Sequence, residues 1–124
     1  MKSSFRAMDS DPVVTNPGLY TVLFENDRVR VLEYSDEPGT ISTPHRHPDS
    51  VMVTLSAFQR RLSMGERSFD TVQPAGAAVW LPAQEHFGEN TGDTDTRVIF
   101  VELKEPADNP VAAGGAPPLG PQSS

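Results

Sequence analysis

The chain has 124 residues, a length typical of a single domain. It has 10 lysine and arginine residues against 17 aspartate and glutamate residues, and the resulting net charge of −7 argues against nucleic acid and anionic membranes as partners. The absence of cysteine excludes disulfides, thiolate metal ligands and a cysteine nucleophile.

Both ends of the sequence lack a sustained apolar pattern. Residues 1–18 include the turn-like Asn16-Pro17-Gly18 and are interpreted as an N-terminal arm, in which Val13-Val14 is a candidate edge strand. Residues 105–124 are rich in proline and glycine and are predicted to form a disordered tail, because they cannot bury enough apolar surface to offset chain entropy. The first residues lack the apolar segment of a secretory signal, and no run is long enough to span a membrane, so we expect a cytoplasmic protein.

Residues 19–104 form the predicted domain, and their apolar residues recur with a period of two. This period predicts strands that are buried on one face. In chain order the predicted strands cover residues 19–24, 28–34, 40–43, 51–55, 59–64, 67–72, 77–81 and 96–103. Short strands separated by glycine and proline turns, without helical periodicity, predict an all-β sandwich or barrel. Closure of a barrel would also remove exposed sheet edges.

The three histidines of the chain, His45, His47 and His86, are the strongest candidates for chemistry. Residues two apart on a strand project to the same face, so His45 and His47 can approach one ion, and a partner strand would bring His86 to them. Neutral imidazole is the commonest side-chain ligand of transition metals. The alternative is that the His-x-His pair lies on a solvated strand face.

Two groups of spaced residues resemble the two sequence motifs of the cupin superfamily. They are Gly39-x5-His45-x-His47, and Gly76-x5-Pro82 followed by His86-x3-Asn90. The resemblance covers most of residues 19–104. It implies a double-stranded β-helix, also called a jelly-roll barrel, with a divalent metal held by His45, His47 and His86.

The sequence departs from these motifs at two places. The glutamate of the first motif is replaced, since Val51 and Met52 stand where it is expected. Asp49 is a candidate substitute ligand, with a solvated turn aspartate as the alternative. In the second motif Gln84 stands in place of a glycine, and His86 comes one residue early. Three imidazoles without a carboxylate would leave the ion its full +2 charge and make it a stronger Lewis acid.

Gln84 and Arg60 are the candidate catalytic residues beside the histidines. Gln84 lies two residues before His86, so on a strand it projects to the same face. It is therefore predicted to point inward, as a hydrogen-bond donor or as a neutral ligand. Arg60 and Arg61 are adjacent, so one of them faces inward, either to bind a carboxylate substrate or as part of an ion pair. Five larger residues are predicted to be core, with cavity lining as the alternative: Met52, Met64, Trp80, Phe87 and Phe100. Asn90 is interpreted as a turn residue.

The function that we favour from sequence is a metal-dependent enzyme acting on a small organic substrate, with iron as the metal. This choice follows from the similarity of the ligand set to that of three-histidine dioxygenases of the cupin superfamily. One alternative is a non-redox isomerase, lyase or decarboxylase that uses Zn, Ni or Mn; Cu is a further possible metal. Others are a non-catalytic binding module and a barrel with vestigial histidines. By analogy with small cupins we expect a homodimer, formed through Val98–Val101 or the N-terminal segment.

Overall fold

Residues 10–104 are described by the computed structural model, and nearly all of their regular structure is β-strand. The elements in chain order are α1 (Pro12–Thr15), β1 (Tyr20–Glu25), β2 (Val29–Asp36), β3 (His45–His47), β4 (Ser50–Thr54), β5 (Phe58–Met64), β6 (Arg67–Gln73), β7 (Ala78–Leu81), β8 (Gln84–Asn90) and β9 (Thr96–Leu103). The predicted all-β class is confirmed. The predicted tail, residues 105–124, lies outside the described residues.

The strands form two antiparallel sheets, as a jelly roll requires. One sheet has the order β1-β2-β9-β4-β7 and the other has the order β3-β8-β5-β6. Side chains alternate between the two faces of a strand, so each strand buries every second residue. In β9, for example, Thr96, Val98, Phe100 and Glu102 are buried, and the residues between them face outward. The buried faces of the two sheets together enclose the interior.

The interior contains an apolar cluster and a large number of polar side chains. The buried apolar residues are Tyr20, Leu32, Tyr34, Met52, Phe58, Leu81, Val98 and Phe100. All three histidines, Arg60, Asp36 and Glu102 are also buried. A buried polar group is costly unless it is hydrogen-bonded, so this concentration of polar groups indicates a functional interior.

Strand β8 is the element that hydrophobic periodicity does not reveal. Its inward positions carry Gln84, His86, Gly88 and Asn90. None of these is an apolar side chain, so the segment lacks the pattern on which strand prediction depends. The predicted strand 40–43 is wrong in extent, because only Ile41 makes an isolated bridge, to Glu89 of β8.

Val13 and Val14 lie in the short helix α1, and the candidate edge strand at this position is therefore wrong. The Asp11 side chain accepts a hydrogen bond from the Val13 N–H at 2.9 Å and caps the helix, while Pro12 occupies its first turn. With four residues, α1 is far too short to cross a membrane, and residues 10–104 contain no membrane-spanning helix.

Candidate metal centre

The pairing of β3 with β8 brings the three histidines together. In this antiparallel register His45 lies opposite His86, and His47 lies opposite Gln84. The ring centroids are 4.8 Å apart for His45 and His47, 4.9 Å for His45 and His86, and 5.1 Å for His47 and His86. All three rings are buried, and one nitrogen of each lies within 4.8 Å of the other two.

Two of the three rings are oriented by hydrogen bonds from Nδ1. The Nδ1 of His45 lies 2.7 Å from the carbonyl oxygen of Thr43, and the Nδ1 of His86 lies 2.8 Å from Oε1 of Gln84. A carbonyl oxygen only accepts hydrogen bonds, so each Nδ1 must carry the proton. The lone pair of each neutral ring is then on Nε2, the atom left for a metal.

The third ring, His47, faces a buried carboxylate. Its Nδ1 lies 3.5 Å from Oε2 of Glu102. The other carboxylate oxygen of Glu102 accepts from Arg30, whose Nη2 lies 2.8 Å away, and Arg30 also pairs with Asp11 at 2.9 Å. A chain of charged groups therefore runs from His47 towards the barrel surface, and it was not anticipated from the sequence.

Burial keeps the three imidazoles neutral. It lowers the pKa of His45, and it lowers the pKa values of His47 and His86 well below the usual value for histidine. At His47 and His86 the neighbouring histidines lower the pKa further. Neutral rings at neutral pH have free lone pairs, so the three residues fit a divalent transition metal.

Asp49 does not join this group. Its Oδ1 accepts a hydrogen bond from the Ala83 N–H at 2.8 Å, between β3 and β4. Among residues 10–104, the histidine, cysteine and acidic side chains spaced for a metal are His45, His47 and His86. The missing carboxylate of the first motif is therefore not replaced by Asp49.

Tyr20 is a site residue that the sequence did not identify. Its Oη lies 3.3 Å from Nε2 of His45 and 3.4 Å from Nε2 of His47. The phenol ring is buried against Tyr34 at a centroid distance of 4.8 Å. Burial raises the pKa of Tyr20 well above its usual value, so the hydroxyl keeps its proton and can donate. The only sequence signal was an aromatic residue with a polar tip at the start of a strand.

A cavity of about 50 Å³ lies beside the histidines, and apolar side chains make up much of its wall. This volume accommodates only a few water molecules. Met52 and Phe100 are buried and line it.

The other three residues that were predicted to be core lie elsewhere. Trp80 does not belong to the core, because it is 38% exposed on the outer face of β7. Phe87 and Met64 are partly buried and lie outside the cavity wall.

Arg60 is the inward-facing member of the arginine pair, but its charge is already compensated. Its Nη1 donates to Oδ2 of Asp36 at 2.7 Å and to Oγ1 of Thr96 at 3.1 Å, and its Nη2 donates to the Tyr34 hydroxyl at 3.1 Å. The Tyr34 hydroxyl also donates to Asp36. The guanidinium lines the cavity, yet Asp36 neutralises it, so it is not a free binding site for an anion.

Asn90 is part of this same buried network, and its assignment as a turn residue is wrong. Its Nδ2 donates to Oδ1 of Asp36 at 3.0 Å and to the Thr94 carbonyl at 2.9 Å.

Arg61, the other member of the arginine pair, points to the opposite face of β5 and pairs with Asp70 at 2.8 Å at the surface.

No family model matches the chain, and no curated protein matches it. Among solved structures, a cupin domain from Bordetella pertussis Tohama I is 30% identical and superposes with a TM-score of 0.65. The match covers 70% of this chain and 93% of that domain.

More distant structures share the fold. An uncharacterised conserved protein with a double-stranded β-helix domain from Klebsiella pneumoniae is 22% identical with a TM-score of 0.56, covering 68% of this chain and 75% of that one. The polyketide cyclase RemF from Streptomyces resistomycificus is 19% identical with a TM-score of 0.52. The match covers 69% of this chain and 64% of RemF. The identity to the Bordetella domain, over nearly all of its length, shows that the chain belongs to the cupin superfamily.

Proposed function

We propose that the protein is a metal-dependent enzyme that acts on a small organic anion, with iron as the metal and dioxygenation as the reaction. The observation that carries the proposal is the cluster of three buried, neutral imidazoles, to which residues 10–104 add no carboxylate ligand. His45, His47 and His86 would hold the ion through Nε2. When bound, an iron(II) ion would supply Lewis acidity and one-electron chemistry with O₂.

The residues around the cluster support binding of an anion. Three neutral ligands leave the ion its full charge, and the nearby carboxylates of Asp36 and Glu102 are paired with Arg60 and Arg30. Apolar side chains such as Met52 and Phe100 exclude bulk water and strengthen electrostatic interactions in the cavity. The small cavity volume favours a small substrate.

Tyr20 provides the directional contact. Its hydroxyl lies within 3.4 Å of two of the three Nε2 atoms, and its raised pKa keeps the proton on Oη. It can therefore donate a hydrogen bond to an oxygen of a substrate held at the three histidines. Packing of the phenol ring against Tyr34 limits its rotation and fixes the direction of this contact.

The same tyrosine favours a second candidate function, non-redox Lewis-acid catalysis at a Zn, Ni or Mn site. A phenol that keeps its proton at donor distance from the ligand atoms can donate a hydrogen bond to an oxygen of a bound substrate and help to polarise it. RemF, which shares the fold, is described as a polyketide cyclase. This candidate includes isomerases, lyases and decarboxylases, and it predicts turnover without oxygen.

The test begins with elemental analysis of protein purified without added metal, alongside the His45→Ala variant. We expect a stoichiometric first-row metal in the wild type and its loss in the variant, with circular dichroism confirming that both are folded. Oxygen uptake by the iron(II)-loaded protein is then measured with diketones, thiols and phenols. The Zn, Ni and Mn forms are assayed anaerobically with the same compounds.

Each outcome separates the candidates. Oxygen uptake that depends on His45 supports the dioxygenase, whereas anaerobic turnover supports the non-redox Lewis-acid enzyme. Metal and ligand binding without product formation contradicts both and favours a binding module. Protein that retains no metal contradicts every metal-dependent function.

A further inference from the structure

Strand β3 carries His45 and His47, yet it is only three residues long and lies at the edge of the four-stranded sheet. It pairs with β8 on one side. Such a short edge strand has few hydrogen bonds to fix its side chains, and its free edge offers backbone N–H groups that need other partners. Residues 10–16, which precede β1 and include helix α1, lie along this free edge, and we call them the α1 segment.

The α1 segment takes the place of a neighbouring strand at β3. The Arg46 N–H, between the two histidines, donates to the Ser10 carbonyl oxygen at 2.8 Å. Just before β3, the Thr43 N–H donates to Oδ1 of Asn16 at 2.9 Å. The Thr43 hydroxyl donates to the Thr15 carbonyl oxygen at 3.2 Å. These bonds hold both the strand and the residue that leads into it.

Asn16 connects the α1 segment to a histidine. Its side chain is buried, although the sequence indicates only a turn at this position. Its Nδ2 donates to the Thr43 carbonyl oxygen at 3.2 Å, and the same oxygen accepts from Nδ1 of His45 at 2.7 Å. Nδ2 of Asn16 also lies 3.4 Å from that ring nitrogen. Since Oδ1 of Asn16 accepts from the Thr43 N–H, one amide group holds both backbone polar groups of the residue that orients the His45 ring.

The other end of the α1 segment leads to His47. Asp11 caps helix α1, and it accepts from Nη1 and Nη2 of Arg30 at 2.9 and 3.0 Å. Such a two-point contact fixes the plane of the guanidinium. Arg30 in turn holds Glu102, whose second oxygen faces Nδ1 of His47. A single helical turn therefore holds, at its two ends, the groups that lie behind two of the three histidines.

We propose that Asn16 is a positioning residue of the metal centre, and that metal binding and docking of the α1 segment on β3 stabilise each other. This inference rests on the metal site of the proposed function. A side chain that restricts the His45 ring before the metal arrives reduces the entropy lost on binding. By linkage, the metal must then stabilise the docked segment. A helix of four residues is not stable by itself, so its order depends on these contacts.

The first measurement is the Zn(II) affinity of the full chain, by competition with a chromophoric chelator. Asn16→Ala removes the contacts to both backbone groups of Thr43. We expect the dissociation constant to rise about 3- to 10-fold, less than for loss of a direct partner of a metal-binding histidine. Val14→Ala is the matched control, because Val14 lies in the same helix and is 53% exposed. This variant should bind Zn(II) as tightly as the wild type.

Thr43→Val is a second variant, in case Asn16→Ala fails to fold. It loses the hydroxyl that donates to Asn16 and Thr15, at 3.1 and 3.2 Å, but keeps the carbonyl that accepts from His45. Thr43 is exposed, so this change leaves the core intact. We expect a weaker affinity for Zn(II) here as well, because the segment docks less firmly.

The second measurement is hydrogen exchange of the α1 segment with and without Zn(II). The amides of Val14, Thr15 and Asn16 are hydrogen-bonded within the segment and report its order. We expect Zn(II) to slow their exchange in the wild type by about 3- to 10-fold, and by less in Asn16→Ala. Amides of β6, the strand farthest from β3 in the four-stranded sheet, are the reference and should change little.

The outcomes distinguish this inference from the proposed function. If Asn16 only stabilised the fold, Asn16→Ala would lower the urea midpoint of the metal-free protein and leave Zn(II) affinity and the effect of Zn(II) on exchange unchanged. That result overturns the inference, while the metal site of the proposed function stands. A wild-type protein that binds no metal overturns both.

Discussion

Nδ1 of His47 and Oε2 of Glu102 face each other at 3.5 Å, and neither atom has a hydrogen-bond partner among the described residues. Both atoms are buried, where an unpaired polar atom is costly. A small rotation of the imidazole would complete an Nδ1–H to carboxylate hydrogen bond and direct Nε2 at the centre of the three rings. Glu102 is thus positioned to orient His47, as Gln84 orients His86.

The first prediction concerns this carboxylate. Glu102→Gln keeps the shape of the side chain but removes the charge that attracts Nδ1–H of His47. Partners of metal-binding histidines typically contribute 10- to 100-fold to metal affinity. We expect the dissociation constant for Zn(II), measured by competition with a chromophoric chelator, to rise by about that factor. Asp70→Asn, which alters a surface ion pair, is the control, and equal affinities in the two variants would contradict the assigned role.

The second prediction concerns the Tyr20 hydroxyl. If Tyr20 donates to an anion held at the three histidines, Tyr20→Phe should weaken binding of azide to the Co(II)-loaded protein, followed by visible absorption. Loss of one hydrogen bond predicts a weakening of about 2- to 10-fold, with Co(II) content unchanged. Tyr34→Phe is the matched control, because its hydroxyl contacts Asp36 and Arg60 instead. If both variants bind azide as tightly as the wild type, Tyr20 does not position the anion.

The third prediction compares two adjacent arginines. Arg60→Ala leaves Asp36 buried without its cation, and breaking a buried pair in this way typically costs about 3–5 kcal/mol of unfolding free energy. Arg61→Ala removes only a solvated pair with Asp70, so its urea midpoint should match that of the wild type. Urea denaturation of the metal-free proteins measures both. Equal midpoints for the two variants would show that the Arg60 network does not stabilise the fold.

The fourth prediction is the pH dependence of the metal-free protein. The folded-state pKa values of His45, His47 and His86 are lowered by burial, so the unfolded chain takes up protons near pH 6.5 and the folded chain does not. Stability is therefore fully present above this pH and falls as the pH drops below it. Three such groups make the unfolding free energy fall by up to about 4 kcal/mol for each pH unit below this pH. The raised pKa of Glu102 acts in the opposite direction, because the folded chain binds this proton at a higher pH than the unfolded chain does. Since Glu102 is a single group and the histidines are three, the net effect of acid is still a loss of stability.

Urea unfolding between pH 7.5 and pH 5.5 measures this slope. His86→Asn removes one of the three groups and should reduce the slope by about a third, whatever its effect on stability at pH 7.5. A slope that is the same in the variant and the wild type would mean that the buried histidines do not control acid sensitivity.

The sequence alone predicted most of the barrel, because β2 alternates polar and apolar residues for much of its length, while β4 and β9 contain runs of β-branched and aromatic residues that are typical of strands. It also identified His45, His47 and His86 as members of one site, because His45 and His47 project to the same face of β3 and all three follow the spacing of the two motifs. Strand β8 escaped the periodicity, since its inward residues are polar or glycine. Asn90 was interpreted as a turn residue because it is polar, although it occupies an inward position of this strand and is buried in the Asp36 network.

The sequence also predicted that Gln84 points inward beside His86, whereas tertiary structure alone decided that Tyr20 and Glu102 reach the three histidines. These two residues lie on β1 and β9, and no local pattern distinguishes a tyrosine beside an imidazole from one in an apolar core. It likewise decided that Arg60 faces Asp36, and that Trp80 lies on the outer face. Alternation along a strand is a local property that the amino-acid order encodes directly, whereas contacts between distant strands depend on sheet register and closure, which only the folded chain establishes.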